Sequence, residues 1–125
     1  LRLGFSSPVD PDVIVDVDLE TGVETELKRR IVPSGHDPAR YHTRRLLAPA
    51  PDGVSVPVTL LARADTPLDG TAPAFIHAYG AYGDALEADF GSDRLSLVEG
   101  GFVDCLAHVR GGLEKGKAWV AAYGG

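Results

Sequence analysis

Two tyrosines set among glycines are the first residues in this chain whose types and spacing suggest chemistry. The stretch FIHAYGAYGDA covers residues 75 to 85, where a segment typical of a β-strand ends at Tyr79, with Tyr82 close behind. In α/β folds, the loops after the carboxyl ends of strands line the active-site crevice. A tyrosine hydroxyl held there can stabilise developing negative charge, and neighbouring glycines let a substrate approach closely. The pattern equally suits a packed, hydrogen-bonded core tyrosine, so spacing alone leaves both roles open for Tyr79.

A second glycine-rich segment, at residues 111 to 117, fits the pattern G-x-x-x-x-G-K between a predicted strand and a predicted helix. A phosphate-binding loop of this kind needs a serine or threonine hydroxyl after the lysine to bind magnesium. Ala118 stands at that position. The glycines at 80 and 83 lack the G-x-G start of a dinucleotide site. We therefore predict a turn between strand and helix, with no nucleotide binding through Lys117.

The other chemistry-bearing side chains do not form a recognisable set. Among the histidines, we predict exposed positions at 36 and 42, and satisfied core positions at 77 and 108. No G-x-S-x-G motif occurs, so a Ser-His-Asp site cannot be assigned within these 125 residues. The single cysteine, Cys105, lies in an apolar run and is expected to be a small buried hydrophobe. The sequence offers no ligand cluster for zinc, and we predict neither a metal nor another cofactor.

Composition indicates globular material, because 44% of the residues are hydrophobic and the mean hydropathy is -0.01. The net charge of -6 argues against a nucleic-acid partner. No apolar run approaches the ~20 residues that would cross a bilayer, so no membrane partner is predicted. The start of the chain lacks the basic-then-apolar order of a signal peptide. We expect a cytoplasmic protein, with the periplasm as the alternative compartment.

The first part of the chain is predicted to form antiparallel strands. Its expected elements are an alternating run at 1–7, a strand at 13–19, a turn at 20–22 and a returning strand at 23–30. This hairpin looks like part of one blade of a repeated β architecture, and it would not be stable alone. Two prolines and a glycine at 33–38 mark a break, where we place a domain boundary.

Beyond that boundary the pattern changes to an α/β order. The expected elements are strands at 41–48 and 54–62, a polar loop at 64–73, a strand at 74–79, a helix at 92–99, a strand at 102–109 and a helix at 114–123. Neither part makes a complete fold by itself. We therefore expect a piece of a larger protein.

Three details of these elements can be predicted as well. Pro57 within its strand suggests an edge position or a bulge. The nearly continuous apolar character of residues 74 to 79 suggests burial on both faces of a parallel sheet. The helix at 92–99 is expected to have Ser92 or Asp93 as its N-cap and to stop at two glycines, 100 and 101.

Several long segments resemble the prolyl oligopeptidase family of serine peptidases. They are DGVSVPVTLLAR, PAFIHAYGAYG and DRLSLVEGGFVDCLAHVRGGLEKGKAW, while SSPVDPDVIVDVDLETGVETELKR and YHTRRLLAPAPDGVSVPV look most like the oligopeptidase B branch. The resemblance covers nearly the whole chain in order. It implies the α/β class, with residues 1–38 as the end of the last blade of a β-propeller plus linker. Residues 39–125 would then be the incomplete N-terminal part of an α/β-hydrolase peptidase domain.

The resemblance also implies an activity, hydrolysis of short peptides, with a preference for cleavage after basic residues in the branch named above. Tyr79 matches the first tyrosine of the family's Tyr-Gly-x-Tyr/Phe motif, the oxyanion-hole donor. Tyr82 matches the second aromatic, which lines the pocket for the residue before the scissile bond. The family's serine, acid and base come later in its sequence, so this chain alone is expected to be inactive.

The chain departs from the family pattern at three places. His77-Ala78 replaces a common Tyr-Gly, Leu113 replaces the third glycine of Arg-Gly-Gly-Gly-Glu, and residues 120–125 replace an acidic, polar continuation. The alternative to a peptidase segment is a stand-alone, non-enzymatic β-rich binding or assembly module. A segment of a larger enzyme would instead expose strand edges and self-associate through them.

Overall fold

Two β-sheets, formed one after the other along the chain, organise the computed structural model, which describes residues 1–121. The first sheet is antiparallel, in the order β1 (Arg2–Phe5), β2 (Val13–Val17), β3 (Glu24–Arg29). The second has the order β4-β5-β7-β6, from β4 (Tyr41–Pro49), β5 (Ser55–Arg63), β6 (Ala74–His77) and β7 (Val103–Ala107). The helices are a 3-10 turn at Pro38–Arg40, α1 (Ser92–Glu99) and α2 (Lys117–Ala121).

The predicted hairpin in the first sheet is confirmed. The Asp18 carboxylate accepts hydrogen bonds from the amides of Glu20 and Thr21, at 2.8 and 2.9 Å, which closes the turn. Gly22 then takes a φ of 71°, a left-handed conformation that glycine adopts without strain. The chain is thereby reversed between β2 and β3.

The second sheet contains the predicted strand-helix-strand unit. Strand β6 pairs with β7 in parallel, and α1 connects the two, while β5 pairs with β7 antiparallel. A parallel pair needs such a crossover connection. The carboxyl ends of β6 and β7 therefore lie side by side at one edge of the sheet.

Apolar residues from α1 form the core on one face of this sheet. Leu95 and Val98 pack with Phe90 against Leu61 of β5. The opposite face carries a second cluster, because successive residues of a strand point to opposite faces. Its members are Leu60, Ala62 and Val103, with Cys105 packed against them. Cys105 is half-buried rather than fully buried, and burial raises the pKa of its thiol.

Phe90 connects the N-terminal part of the chain to this core. Its amide donates to the Ser6 hydroxyl at 3.2 Å, and the Arg30 guanidinium lies 5.6 Å from the centre of its ring. The His36 ring meets the Phe90 ring edge-on at 5.1 Å. Because these partners lie before β4, the two sheets are joined through side-chain packing as well as through the chain.

Strand β6 corrects the prediction of a strand buried on both faces, because all four of its residues are exposed. The pairing is parallel, as predicted, but β6 is the edge of the sheet and pairs only with β7 within residues 1–121. A continuous apolar run indicates a strand without indicating what covers it.

Pro57 is not at a sheet edge, because β5 lies between β4 and β7. The β4–β5 register is continuous through Pro57, so there is no bulge at this point either. The Pro57 carbonyl accepts from the His108 amide at 2.9 Å, just past the end of β7. Proline has no N–H, but Pro57 lies just beyond the paired residues of β5 and β7. Its missing N–H group therefore removes no hydrogen bond from that pairing.

The helix boundaries differ from the sequence expectation in two places. The N-cap of α1 is Gly91, with extended backbone and no side-chain cap, so the expected Ser92 or Asp93 cap is wrong. The stop at Gly100 is confirmed. Helix α2 begins at Lys117 rather than 114, because the preceding residues form turns. The last two residues of that predicted helix lie outside the described part of the chain. Within residues 1–121, no helix has the length and apolar character needed to span a bilayer.

Replacing Leu95 with alanine is expected to lower the free energy of unfolding by about 2–5 kcal/mol, because the side chain is only 7% exposed and leaves a cavity. Alanine keeps the helix propensity of α1, so the loss reports packing. Leu19→Ala is the matched control, since Leu19 is 77% exposed in a turn and should cost under about 0.5 kcal/mol. Thermal unfolding of the two variants compares them directly. Equal losses would show that α1 does not hold this core.

Asp104 gives a pH-dependent expectation. Burial raises the pKa of this carboxyl above its usual range, and Arg94, 4.0 Å away, only partly opposes that rise. The folded state therefore holds this proton more tightly than the unfolded chain, so Asp104 lowers stability as the pH rises from about 4. We expect the thermal stability of Asp104→Asn to increase relative to that of the wild type as the pH rises from about 4. A pH-independent difference between the two proteins would contradict this reading.

Candidate functional site

Tyr79 and Tyr82 lie in the segment that leaves the carboxyl end of β6. The Tyr79 residue is 52% exposed and Tyr82 is 91% exposed. Among the hydrogen bonds within residues 1–121, none involves the Tyr79 hydroxyl. Within residues 1–121, Tyr79 is thus half-exposed with no hydrogen bond to its hydroxyl, and Tyr82 is exposed.

The backbone of this segment is unusual at three positions out of four. Gly80, Tyr82 and Gly83 have φ values of 66°, 56° and 72°. Glycine adopts this left-handed region readily, but a tyrosine does so only at a cost of about 1–2 kcal/mol. Such local strain is typical of sites where the surrounding structure fixes a functional side chain. Tyr82 is thus turned outward by the backbone.

The segment lies against the loop that follows β7. A Cβ atom added to Gly80 would come within 2.5 Å of Val109 Cγ2 and 2.6 Å of the Arg110 carbonyl oxygen. The Gly83 amide donates to the Gly111 carbonyl at 2.9 Å. The two glycine-rich segments, which are far apart in the sequence, therefore pack against each other at the carboxyl ends of adjacent parallel strands.

Glu114 lies beneath both segments, with only 9% of its side chain exposed. Its Oε1 accepts a hydrogen bond from the Leu86 amide at 3.1 Å. A Cβ on Gly112 would fall 2.1 Å from Glu114 Oε2 and 2.9 Å from the Asp84 carbonyl oxygen. Gly112 is therefore the residue that leaves room for the carboxylate between the two segments.

His108 is the buried neighbour of Glu114. Its Nε2 lies 2.8 Å from the Thr59 hydroxyl, and its Nδ1 lies 3.8 Å from Glu114 Oε1. Burial lowers the pKa of His108, and Arg45 acts in the same direction. His108 is buried as predicted, but it is not fully satisfied, because its Nδ1 has no hydrogen-bond partner within residues 1–121. His77 is exposed at the end of β6, so its predicted core position is wrong. The other two histidines, 36 and 42, are half-buried rather than exposed.

Polar contacts anchor the second loop to the rest of the sheet. Arg110 forms an ion pair with Asp52 in the β4–β5 turn. The Lys115 ammonium lies 4.4 Å from the centre of the Trp119 ring, and the Trp119 indole N–H donates to the His108 carbonyl at 3.2 Å. These contacts fix the loop on both sides of Glu114, and the segment that carries the tyrosines packs against this loop.

These contacts also explain why the G-x-x-x-x-G-K pattern does not describe a phosphate site. The carboxylate of Glu114 occupies the space beside Gly112, inside the loop that would have to surround a phosphate. A buried negative charge there repels an anion. Lys117 is the first residue of α2. Among residues 1–121, no three histidine, cysteine, aspartate or glutamate side chains converge as a metal site.

Sequence reasoning found the two tyrosines but passed over Glu114 and Gly112. The phosphate-loop pattern gives a role to its lysine and none to an acid inside the loop, so it does not indicate Glu114. The available signal was a lone acid placed between glycines directly after an apolar strand. Only the fold shows that Glu114 contacts Leu86, in the segment that carries the tyrosines.

Known proteins similar to this chain are peptidases. Dipeptidyl aminopeptidase BI of Pseudoxanthomonas mexicana is 42% identical over 120 residues, which are 95% of this chain and 16% of that protein. Oligopeptidase B from Trypanosoma brucei, solved with covalently bound antipain, has a TM-score of 0.90 at 39% identity, covering 99% of this chain and 18% of that one. A mutant prolyl oligopeptidase B from Galerina marginata, bound to a 35mer hydrolysis and macrocyclization substrate, has a TM-score of 0.89 at 25% identity, covering 97% and 17%.

No protein-family model matches the chain. The chain spans less than a fifth of the length of the relatives described above. The similarity therefore concerns one segment of those proteins, and that segment corresponds to nearly all of this chain.

Gly80→Ala tests the contact between the two segments. The added methyl group would need space that Val109 and the Arg110 carbonyl occupy, which should cost about 1–3 kcal/mol beyond the strain of a positive φ. Gly53→Ala is the control, because Gly53 also has a positive φ, 83°, but open space around it. We expect the Gly80 variant to have the lower thermal midpoint. Equal thermal midpoints for both variants would show that the close approach at Gly80 does not constrain stability.

Proposed function

This chain belongs, as one segment, to the prolyl oligopeptidase family of peptidases, and we propose that it supplies part of the active-site crevice of a serine oligopeptidase. The observation that carries the proposal is the half-exposed Tyr79 at the carboxyl end of β6, with its hydroxyl unengaged within residues 1–121. In α/β sheets this is the edge at which substrates bind. The agreement of sequence and fold with three peptidases supports the same conclusion.

The domain arrangement is part of the proposal. Residues 1–38 would be the end of the last β-propeller blade plus the linker, and residues 39–125 the start of an α/β-hydrolase domain. The support is the change from one sheet to the other between Arg29, the end of β3, and Tyr41, the start of β4. The parallel β6–α1–β7 unit is of the kind from which α/β domains are built.

In the proposed reaction, a serine from outside these 125 residues attacks the carbonyl carbon of the scissile peptide bond, while its hydroxyl proton passes to a base that also lies outside them. The carbonyl oxygen gains negative charge, and the Tyr79 hydroxyl donates a hydrogen bond to it, together with a backbone N–H beside the serine. One donor of this kind contributes about 2.7–4 kcal/mol of transition-state stabilisation. The Tyr82 ring, turned into solvent by its positive φ, would form a wall of the pocket for the residue before the scissile bond.

The substrates would be short peptides, cleaved after basic residues. The peptide-bound relative from Galerina marginata supports a peptide substrate in general, whereas the basic preference rests on the resemblance to the oligopeptidase B branch. The serine, acid and base are proposed to lie outside these 125 residues, so the chain would not hydrolyse peptides alone. Separated from the rest of the enzyme, it would self-associate through the free edge of β6.

Tyr79→Phe is expected to lower kcat of the intact peptidase by about 10²–10³, with little change in KM. Removing the hydroxyl deletes a hydrogen bond made to the oxyanion while leaving the ring in place. The measurement is steady-state hydrolysis of a short fluorogenic peptide that ends in arginine before the cleaved bond.

Tyr82→Phe is the matched control, because it removes a hydroxyl from the same segment and should leave kcat within about twofold, since the ring forms the proposed wall. Tyr82→Ala removes that ring and should raise KM. An unchanged kcat in the Tyr79→Phe enzyme would end the assignment of this residue as oxyanion donor.

A further inference from the structure

The segment that carries the tyrosines is held at three points along its length. At its start, Gly80 packs against Val109 and Arg110, and in its middle the Gly83 amide donates to Gly111. At its end, the Leu86 amide donates to Glu114. The first attachment meets the Val109 side chain and the Arg110 carbonyl, the second is a hydrogen bond between backbone groups, and the third depends on the side chain of Glu114.

The Glu114 carboxylate has little freedom to leave this place. Its side chain is almost fully buried, and Gly112 and the Asp84 carbonyl bound the space around Oε2. His108 stands 3.8 Å from Oε1 and is itself fixed by its contact with Thr59. Burying a carboxylate is costly unless it accepts hydrogen bonds, so the Leu86 amide is an energetically important partner.

We propose that Glu114 is a positioning residue for catalysis: by holding the Leu86 amide, it fixes the segment that sets the Tyr79 hydroxyl and the Tyr82 ring. This inference rests on the proposed function. It assigns Glu114 no contact with substrate. Its effect is exerted through the backbone between residues 79 and 86, which turns sharply at Gly80, Tyr82 and Gly83.

The test is a double-mutant cycle in the intact peptidase, combining Glu114→Ala with Tyr79→Phe. A displacement of about 1 Å at a reacting group can cost on the order of 10²-fold in rate. We expect Glu114→Ala to lower kcat by about tenfold or more in the wild-type background. In the Tyr79→Phe background the same change should lower kcat much less, because the hydroxyl that Glu114 positions is already gone.

Three further variants separate positioning from folding. Glu114→Gln keeps an oxygen that can accept from Leu86 and should retain kcat within about threefold. Glu114→Asp keeps a carboxylate and is expected to disturb folding less than alanine does. Its shorter side chain draws the carboxylate back from Leu86, so it should lower kcat, and it can be assayed if the alanine variant is too unstable. Glu87→Ala, at an exposed acid of the same segment, is the control and should leave kcat unchanged.

The outcomes distinguish the two proposals. If Tyr79→Phe lowers kcat but Glu114→Ala and Glu114→Asp do not, the positioning role is wrong and the oxyanion role stands. Equal factors for Glu114→Ala in both backgrounds would also overturn it, because a general loss of folded enzyme does not depend on the Tyr79 hydroxyl. An unchanged kcat in Tyr79→Phe itself overturns the proposed function first.

Discussion

The close contact between two glycine-containing segments is the constraint on which the site depends. Gly80 approaches Val109 and the Arg110 carbonyl so nearly that no side chain fits between them, and Gly112 leaves its space to the Glu114 carboxylate. Both contacts need residues without a Cβ atom. The absence of a side chain at Gly80 and Gly112 is therefore as important to this candidate site as the presence of the two tyrosines.

The rest of the described structure brings these two segments together. Parallel pairing of β6 with β7 places both carboxyl ends at one edge, and α1 supplies the connection that such pairing requires. The packing of Leu95 and Val98 on Leu61 fixes α1 to β5, so the helix cannot shift without disturbing the sheet. Core packing thus determines the position of the site without contributing a residue to it.

Much of this could be predicted from the sequence, and the limits have physical reasons. Alternation, turn residues and glycine stops predict all seven strands of residues 1–121 and the first helix, because those signals are local. The exposure of β6, the central position of Pro57 and the role of Glu114 depend on which elements meet in space. A run such as residues 74 to 79 looks the same whether or not another element covers it, and Glu114 contacts Leu86 only because two strands are parallel. The tyrosines were predicted from their position among glycines after a strand, whereas their separate proposed roles came from the resemblance rather than from spacing.

The buried polar groups near the site follow a different logic from the core. His108 Nδ1 and Glu114 Oε2 are buried without a hydrogen-bond partner within residues 1–121. An unsatisfied buried group costs about 1–3 kcal/mol, so apolar residues at these positions would give a more stable sheet edge. Apolar packing, however, would not fix the Leu86 amide in one place, since it has no directional preference. Under the proposed roles, the loss of stability at Glu114 and His108 would be the cost of a defined backbone path between Tyr79 and Leu86. A hydrogen-bond donor to a developing oxyanion needs such a fixed position.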